Sequence, residues 1–275
     1  MTSAEALAGA RALGVASLDA QLLLARVLAT TRTGLIANDE RVLTDAEAAR
    51  WSDWLARRAA GEPVAYLLGE KEFCGLVLDV RPGVLVPRPE TELLVDWAAE
   101  LLGGREPGAT VLDLGTGSGA IGLAIKHRFA KARVTAVDAS PAALGVAAAN
   151  AARLGLEVEI VASSWFEALG QRRFDLIVAN PPYVGVDDPH LAALRHEPIE
   201  ALVSGHDGLD ALGTITHSAR DHLKDGGWLL LEHGFGQGAA VRTLLAEAGL
   251  AQVTTRSDLA GHERATGGLR AWAPE

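Results

Sequence analysis

A planar amide and an aromatic ring follow directly after an apolar run in this chain. The run covers residues 174–179, and Asn180, Pro181, Pro182 and Tyr183 come next. Runs of this length and composition are typical of buried parallel strands. The two prolines end the strand because neither has an N–H group to donate. Ligands bind at the carboxyl ends of such strands, so this turn is a candidate site, although Asn-Pro is also a common turn dipeptide.

A glycine-rich loop is the second candidate for chemistry. Gly115, Gly117 and Gly119 follow the apolar residues 111–114, and glycines there let the backbone approach a ligand at a helix N-terminus. Asp138 ends the next predicted strand, 23 residues after Gly115. A carboxylate at this position can accept both hydroxyls of a ribose. The sequence therefore predicts a cofactor that contains a nucleoside.

The spacing of these glycines does not identify the cofactor. Residues 117–122 also have the form G-x-G-x-x-G, which is found in sites for nicotinamide and flavin dinucleotides. A nicotinamide or flavin cofactor therefore fits the loop as well as any other nucleoside does.

Composition and charge limit the classes of function. The chain has 275 residues, of which 49% are hydrophobic and 22% charged, a globular balance that supports one large domain or two. The net charge of -10 argues against binding to long nucleic acids. Cys74 is the single cysteine, and the eight histidines are scattered, so we expect no disulfide framework and no metal site. No apolar run reaches the roughly 18–20 residues of a membrane span, and we expect a cytoplasmic protein.

Residues 1–60 show helical patterns only. Ser17 is a candidate N-cap, and the helix after it has apolar residues at helical spacing, at Leu18, Leu22, Ala25 and Leu28. Thr44 and Glu47 have the spacing of a capping box. The helix that they open carries Trp51 and Trp54, which we expect in a core.

A short hairpin is predicted to join this helical part to the rest. The apolar stretches 76–80 and 84–86 are separated by the turn residues Arg81, Pro82 and Gly83. We therefore divide the chain into a helical N-terminal domain, a hairpin linker and a catalytic domain, at residues 1–72, 73–88 and 89–275.

From Thr110 onward, strands alternate with helices. Strands are predicted at residues 111–114, 134–138, 158–161, 176–179, 228–232, 251–256 and 269–272. One of the helices is expected to end within residues 221–227, and another begins at Ser140 and Pro141, an N-cap and a proline at the first helical position. The alternation implies an α/β fold with a mostly parallel sheet and helices on both faces.

The motifs together resemble one enzyme family. Residues Asp113 to Gly119 resemble the first motif of class I S-adenosylmethionine-dependent methyltransferases, which have a Rossmann-like fold. Residues Asn180 to Tyr183 resemble the motif with which that superfamily methylates planar nitrogens, either the adenine amine or the glutamine amide. With Arg88 to Glu92, Gly61 to Tyr66 and Leu231 to Gly234 added, nearly the whole chain resembles the peptide chain release factor glutamine N5-methyltransferases, the PrmC (HemK) family.

The resemblance implies a set of cofactor-binding residues. The residues implied for the methionine and ribose part of S-adenosylmethionine are Gly115, Thr116, Gly117, Ser118 and Gly119. Asp138 would bind the ribose hydroxyls, Trp165 would contact the adenine, and Asn180 would lie next to the cofactor. No metal is implied.

The same resemblance suggests how an amide nitrogen is methylated. An amide is a poor nucleophile, because its lone pair is shared with the carbonyl group. The Asn180 side-chain oxygen and the Pro181 carbonyl could accept both N–H bonds of the substrate, with Pro182 beside it and Tyr183 stacked on the planar group. The cofactor already carries a cationic leaving group, so no strong base is required, and alignment of this kind contributes up to roughly 7–11 kcal/mol.

The implied reaction is transfer of a methyl group to the glutamine of the Gly-Gly-Gln loop in class I release factors. The protein partner would then be a release factor, docked in part on the helical N-terminal domain. Two alternatives keep the chemistry but change the substrate, to a ribosomal-protein glutamine or to an adenine. An NAD-dependent oxidoreductase, the alternative from another class, would leave residues 180–183 unexplained.

Overall fold

The fold is described from a computed structural model, which describes residues 1–104 and 108–272. The chain forms two compact units. The first holds Met1–Lys71 and Ala192–His196, and the second holds Glu72–Leu191 and the residues from Glu197 onward. Our division of the chain has three parts with different roles, whereas these are two compact units. The three-part division therefore remains a prediction.

The first unit is built from α-helices. Its helices are α1 (Ser3–Ala12), α2 (Ser17–Val27), α3 (Arg32–Ala37), α4 (Asp45–Ala59) and α5 (Val64–Leu68). The predicted capping box at the start of α4 is confirmed, because Thr44 accepts from the Glu47 N–H and the Glu47 carboxylate accepts from the Thr44 N–H. Trp51 is buried in the helical core as expected, and Trp54 packs against that core while partly exposed.

The predicted start and buried face of α2 are wrong in detail. Ala16, not Ser17, occupies the N-cap position, and no side chain caps the helix there. Leu18 is half exposed and Leu22 partly exposed, whereas Ala25 and Leu28 are buried together with Ala20, Leu23, Leu24 and Val27. A leucine-rich helix offers two apolar stripes, and packing against α1 and α4 selects one of them.

The hairpin lies earlier in the chain than predicted. Its strands are β1 (Glu70–Phe73) and β2 (Leu76–Asp79), which form a two-stranded sheet. The turn consists of Cys74 and Gly75, whose φ angles are 49° and 79°. Positive φ at both central residues is what a two-residue hairpin turn needs. Residues 84–86 therefore form no strand, and Val84 and Leu85 line a cavity instead.

The second unit contains a seven-stranded sheet with the order β5-β4-β3-β6-β7-β9-β8. Its strands are β3 (Thr110–Leu114), β4 (Arg133–Asp138), β5 (Glu159–Ala162), β6 (Phe174–Ala179), β7 (Leu223–Glu232), β8 (Ala251–Ser257) and β9 (Glu263–Leu269). Strands β3 to β7 are mutually parallel, and β9 runs antiparallel to both of its neighbours. The predicted mostly parallel sheet is confirmed.

Helices cover both faces of this sheet. They are α6 (Glu92–Gly103), α7 (Ala120–Arg128), α8 (Pro141–Leu154), α9 (Asp210–His222) and α10 (Gly238–Glu247). Two hydrophobic cores result, one between the sheet and α6 and α7, and the other between the sheet and α9 and α10. The β3 strand faces both cores, with Val111 in one and Leu112 in the other, so the continuous apolar runs reflect burial on two sides.

Two predicted boundaries near the end of the sheet are wrong. Strand β7 begins at Leu223 rather than Trp228, because an irregularity opposite Phe174 and Leu176 lets the strand continue through Gly226 at a φ of 74°. The last strand covers 263–269 rather than 269–272. A Cβ on Gly267 would lie 2.6 Å from Leu230 Cδ2. Glycine usually weakens a strand, but here it is required because β7 approaches closely.

The strand order brings the motif-bearing loops together. Strand β3 pairs with β4 on one side and β6 on the other, in parallel register. The loop after Leu114, the residue Asp138 and the turn after Ala179 therefore meet at one edge of the sheet. In the described part of the chain, no helix is long and apolar enough to cross a membrane.

Candidate active site

A cavity of about 580 Å³ lies at the carboxyl edge of the parallel strands, within the size range of small-molecule sites. It lies wholly within the second unit. Six segments line it. Four of them contribute Gly83, Val84 and Leu85, then Gly115 and Gly117, then Asp138, Ala139, Ser140, Ala142 and Ala143, and then Ser163, Ser164 and Trp165. The remaining wall consists of Asn180, Pro181, Pro182, Pro198, Glu200 and Ala201.

The glycine loop is held in place by backbone groups. The N–H groups of Gly115 and Thr116 both donate to the Val137 carbonyl, each at 2.9 Å. The φ angles of Gly115, Gly117 and Gly119 are 69°, 57° and 87°, values that residues with a Cβ rarely adopt. No atom would lie within 4 Å of a Cβ on Gly117, so this glycine is required by its backbone conformation and not by crowding.

Asp138 joins the loop to the end of β4. One carboxylate oxygen accepts from the Gly117 N–H at 2.9 Å, and the other accepts from the Ser140 N–H at 2.9 Å. An ionised carboxylate offers about four lone-pair positions. Since Asp138 also lines the cavity, it keeps room to accept two further hydroxyls, as a ribose diol would supply.

Trp165 also lines the cavity. Its ring lies against Gly115, where an added Cβ would be 3.5 Å from Trp165 Cζ3. The Trp165 φ angle is 48°, a left-handed conformation that costs roughly 1–2 kcal/mol for such a residue. Ser163 stabilises the turn, because its hydroxyl donates to the Trp165 carbonyl at 2.9 Å and accepts from the Ala168 N–H at 3.0 Å.

Asn180 presents one side of its amide to a hydroxyl group and the other to the cavity. Its Nδ2 donates to Thr91 Oγ1 at 3.0 Å, and Asn180 lines the cavity together with Pro181 and Pro182. The contact with Thr91 engages one of the two N–H groups of this amide, and we expect the side-chain oxygen to be the acceptor that a ligand in the cavity meets. The role of the Asn180 oxygen as an acceptor for a substrate amide stays a prediction.

Tyr183 lies behind the cavity wall. Its hydroxyl donates to Glu232 Oε1 at 3.1 Å, and its ring packs against a hydrophobic core. Burial raises the pKa of this phenol, and the neighbouring Glu232 carboxylate raises it further. Tyr183 is absent from the residues that line the cavity, so its predicted stacking on a substrate stays a prediction.

Glu232 is a buried carboxylate at the end of β7. Its side chain has 1% exposure, and burial raises its pKa to about 7, an effect that the Thr91 and Tyr183 hydroxyls and Arg264 partly offset. Among the described residues, none is hydrogen-bonded to its Oε2 atom. A buried carboxylate with one unpaired oxygen is costly for stability, which is typical of a functional position.

The predicted cofactor residues separate into two layers. Gly115, Gly117, Asp138, Trp165 and Asn180 line the cavity. The remaining ones, Thr116, Ser118 and Gly119, are buried behind the cavity surface.

Two of these buried residues support the loop from inside. The Thr116 hydroxyl donates to Asp113 Oδ2 at 2.6 Å, and the Ser118 carbonyl accepts from Asn150 Nδ2 at 2.9 Å. Asp113 also accepts from the Gly122 N–H at 2.9 Å, and burial raises its pKa to about 6. A Cβ on Gly122 would lie 3.0 Å from Asp113 Oδ2, which explains the third glycine of the string as a packing requirement.

Comparison with known proteins agrees with this geometry. Residues 2–69 match the family described as PrmC N-terminal domain, and residues 91–248 match the family described as methyltransferase small domain. The release factor glutamine methyltransferase of Pseudomonas aeruginosa is 51% identical over 261 residues, which cover 94% of this chain and 93% of that protein. The protein of the same name from Bordetella pertussis is 49% identical over 258 residues, covering 93% and 95%.

This chain belongs to the release factor glutamine methyltransferase family. It is therefore an enzyme with a methyltransferase domain, as predicted, and membership argues against the oxidoreductase alternative. A solved structure of the 16S rRNA N2 G1207 methyltransferase of T. thermophilus, in complex with AdoMet and guanosine, shares the fold. Its TM-score is 0.55 at 24% identity, with 73% of this chain and 49% of that chain covered.

The sequence analysis did not identify Asn150. This residue supports the glycine loop of the methyltransferase domain. Its amide is fully buried and exchanges two hydrogen bonds with the Asp79 backbone, one with the N–H at 2.8 Å and one with the carbonyl at 3.0 Å. It also donates to the Ser118 carbonyl. Asn150 therefore links the end of β2 to the glycine loop. A single asparagine inside an alanine-rich helix was the signal available, because an amide there needs buried partners.

Glu197 is a buried carboxylate next to the cavity wall. Its side chain is 2% exposed and is ion-paired with Arg88, and its Oε2 accepts from the Val86 N–H at 3.0 Å. Residues 83–85 and Pro198 line the cavity on either side of this contact. Glu197 thus joins two walls of the cavity to each other.

The cavity residues fit a nucleoside cofactor by their chemistry. Gly115 and Gly117 leave backbone space without side chains, Asp138 can accept a diol, and Trp165 offers a flat apolar ring. Across residues 1–104 and 108–272, no group of three or more metal-ligating side chains is clustered.

Proposed function

We propose that this enzyme transfers the methyl group of S-adenosylmethionine to the side-chain amide nitrogen of the glutamine in the Gly-Gly-Gln loop of class I peptide chain release factors. The proposal is carried by the orientation of Asn180, whose nitrogen is engaged by Thr91 so that its oxygen is left for a ligand in the cavity. It is supported by the names of the relatives, which act on release factor glutamine.

The cofactor would be held by the residues that line the inner part of the cavity. Asp138 would accept the two ribose hydroxyls, since each of its oxygens is bonded to only one N–H group. Trp165 would pack on the adenine, and the glycine backbone at 115 and 117 would follow the ribose and methionine. Thr116, Ser118 and Gly119 would contribute indirectly, by supporting this backbone from the buried side.

The bound cofactor supplies an electrophilic methyl group on a positively charged sulfur. The protein then has to align the glutamine amide with it. We infer that Asn180 Oδ1 and the Pro181 carbonyl accept the two N–H groups of the substrate. With both hydrogens held in the amide plane, the nitrogen lone pair is directed out of that plane, and Pro182 restricts the space beside it.

The proton inventory requires no strong base in the cavity. As the new C–N bond forms, the sulfur becomes a neutral thioether and one amide N–H proton is released to water. No side chain has to hold that proton, and alignment can supply up to roughly 7–11 kcal/mol of the barrier reduction.

Mass spectrometry of methylated substrates tests the proposal. The enzyme is incubated with S-adenosylmethionine and a class I release factor, and the peptide that carries Gly-Gly-Gln is examined. We expect a gain of one methyl group on that glutamine, and none when the glutamine is replaced by alanine. Methylation of a ribosomal protein or of adenine in DNA, without the release factor product, would overturn the proposal in favour of those substrates.

The helical first unit is a candidate docking surface for the protein substrate, since it matches a domain found in this family. We infer that residues 1–72, 73–88 and 89–275 act as docking domain, linker and catalytic domain. A release factor substrate belongs to the translation machinery, so we expect the enzyme in the cytoplasm. We expect no direct contact with nucleic acid, in view of the net charge of -10.

A further inference from the structure

A buried polar cluster lies directly behind the amide-accepting turn. Thr91 has 4% exposure and Glu232 has 1%. Thr91 Oγ1 accepts from Asn180 Nδ2 at 3.0 Å, and Glu232 Oε1 accepts from the Tyr183 hydroxyl at 3.1 Å. Both ends of the turn from Asn180 to Tyr183 are therefore held by groups from other elements, Thr91 before α6 and Glu232 at the end of β7.

The sheet register explains why these groups meet. Strand β6 pairs with β7 so that Ala179 lies opposite Leu231. Asn180 follows Ala179 and Glu232 follows Leu231, so Asn180 and Glu232 lie next to each other at the edge of the sheet. Thr91 and Glu232 both contact this turn, and the Thr91 hydroxyl lowers the pKa of the Glu232 carboxylate.

The chemistry of these groups determines which way the Asn180 amide points. An ionised carboxylate only accepts hydrogen bonds, so its field directs the Thr91 hydroxyl proton toward Glu232. The Thr91 oxygen is then left with lone pairs, which can only accept from Asn180. The amide must turn its Nδ2 to Thr91, and its oxygen faces the cavity.

We propose that Thr91 and Glu232 are positioning residues that select the catalytic orientation of the Asn180 amide. The inference rests on the proposed function, since it concerns the oxygen that accepts the N–H of the substrate glutamine. A flipped Asn180 would present an NH₂ group to the substrate NH₂ group, and the two donors would repel each other. Neither Thr91 nor Glu232 lines the cavity, so they act through Asn180 and not on the substrate.

Substitutions at Thr91 test this role. Thr91→Val keeps the shape of the side chain but removes the hydroxyl, and we expect kcat to fall at least tenfold, with affinity for S-adenosylhomocysteine within about twofold of wild type. Thr91→Ser restores the hydroxyl and is expected to recover most of kcat. Thr214→Val is the matched control, since the exposed Thr214 hydroxyl bonds only to the Asp210 carbonyl within its own helix. Wild-type kcat in Thr91→Val would overturn the proposal.

A measurement without substrate separates this proposal from the proposed function. The side-chain NH₂ signal of Asn180 is assigned in a ¹⁵N–¹H correlation spectrum by its absence in Asn180→Ala. We expect slow hydrogen exchange of this group in wild type and Thr91→Ser, and fast exchange in Thr91→Val. Equal exchange in all three would overturn the proposal. An enzyme inactive on release factors that still shows this exchange pattern would refute the proposed substrate and leave the orientation established.

The pH profile tests the part played by Glu232. The charged and titratable groups that face this carboxylate are Tyr183, Arg264 and Glu90, and its pKa of about 7 means that protonation occurs near neutral pH. We expect kcat of the wild type to fall as pH decreases through 7. Glu232→Gln is expected to lower kcat and to lose this decrease, while it keeps affinity for S-adenosylhomocysteine. An unchanged decrease in Glu232→Gln would show that another group controls it and would overturn the role of Glu232.

Discussion

The loop after β3 and the turn after β6 reach the same cavity but are held in different ways. The glycine loop is held by backbone N–H groups that donate to Val137 and Asp138, with each hydrogen bond near 2.9 Å. The turn at Asn180 is held through side chains from distant segments, Thr91 and Glu232. Each region has one buried carboxylate oxygen without a hydrogen-bond partner among the described residues, Asp113 Oδ1 behind the loop and Glu232 Oε2 behind the turn.

This difference suggests a division of labour between the two regions. Backbone contacts make a rigid surface that can bind a constant cofactor, and they tolerate many side chains. Side-chain contacts can fix the orientation of a single amide, which the backbone alone cannot do. We therefore expect substitutions at the turn to affect the chemical step and substitutions around the loop to affect cofactor binding.

The largest effect is expected for Asn180→Ala. The change removes the side-chain acceptor, and loss of one preorganised hydrogen-bonding group typically costs about 10²–10³ in kcat. Affinity for S-adenosylhomocysteine should persist in part. Steady-state methylation assays and calorimetry measure the two quantities. Near-normal turnover would contradict the expectation that the turn acts in the chemical step, and with it the difference between the two regions.

A large effect on cofactor affinity, and not on kcat, is expected for Asp138→Ala. Two charge-assisted hydrogen bonds to a ribose would be lost, each worth about 1.5–3 kcal/mol, so affinity for S-adenosylhomocysteine should fall by about 10²-fold or more. At saturating cofactor, kcat should change far less. Calorimetric titration gives the affinity, and Asp138→Asn is the comparison that keeps one acceptor. A loss confined to kcat would contradict the assignment.

A smaller effect on binding is expected for Asn150→Ala. The variant leaves the Asp79 backbone groups and the Ser118 carbonyl without their buried partner, at a cost of about 1–3 kcal/mol. Cofactor affinity should fall by about tenfold and thermal stability should decrease, while kcat at saturation is retained. A stability loss with unchanged affinity would show that Asn150 supports only the fold.

The smallest expected effect is a pH dependence of stability at Asp113. Its pKa is raised to about 6 by burial, so the folded state binds a proton more readily than the unfolded state does. The contribution of this group to stability is present below about pH 4, and is lost as pH rises through 6. Chemical denaturation gives the free energy of unfolding of wild type and of Asp113→Asn. The difference between these two free energies should change between these pH values and be constant above pH 7. A difference independent of pH would mean that the carboxyl is not buried in solution.

Much of the α/β architecture was predictable, because apolar runs and helix signals are local. The capping box at Thr44, the N-cap Ser140 and most strand positions follow from residue types within a few positions of each other. The errors occurred where a distant partner overrides a local preference. Cys74 accepts a positive φ in a hairpin turn, and Gly267 lies inside a strand because β7 and Trp97 approach it closely.

The sequence by itself pointed to the candidate site residues. The recognisable features are Asn180 after a strand, the glycine loop and Asp138. Short motifs indicate them because a few neighbouring residues determine the backbone conformation and the polar atoms at a strand end. Only the tertiary structure decided how these groups are supported. Thr91 is 89 residues from Asn180, and Asn150 is 71 residues from Asp79. Contacts over such distances depend on strand order and register, which no local pattern encodes, and they determine which atom of the amide faces the cavity.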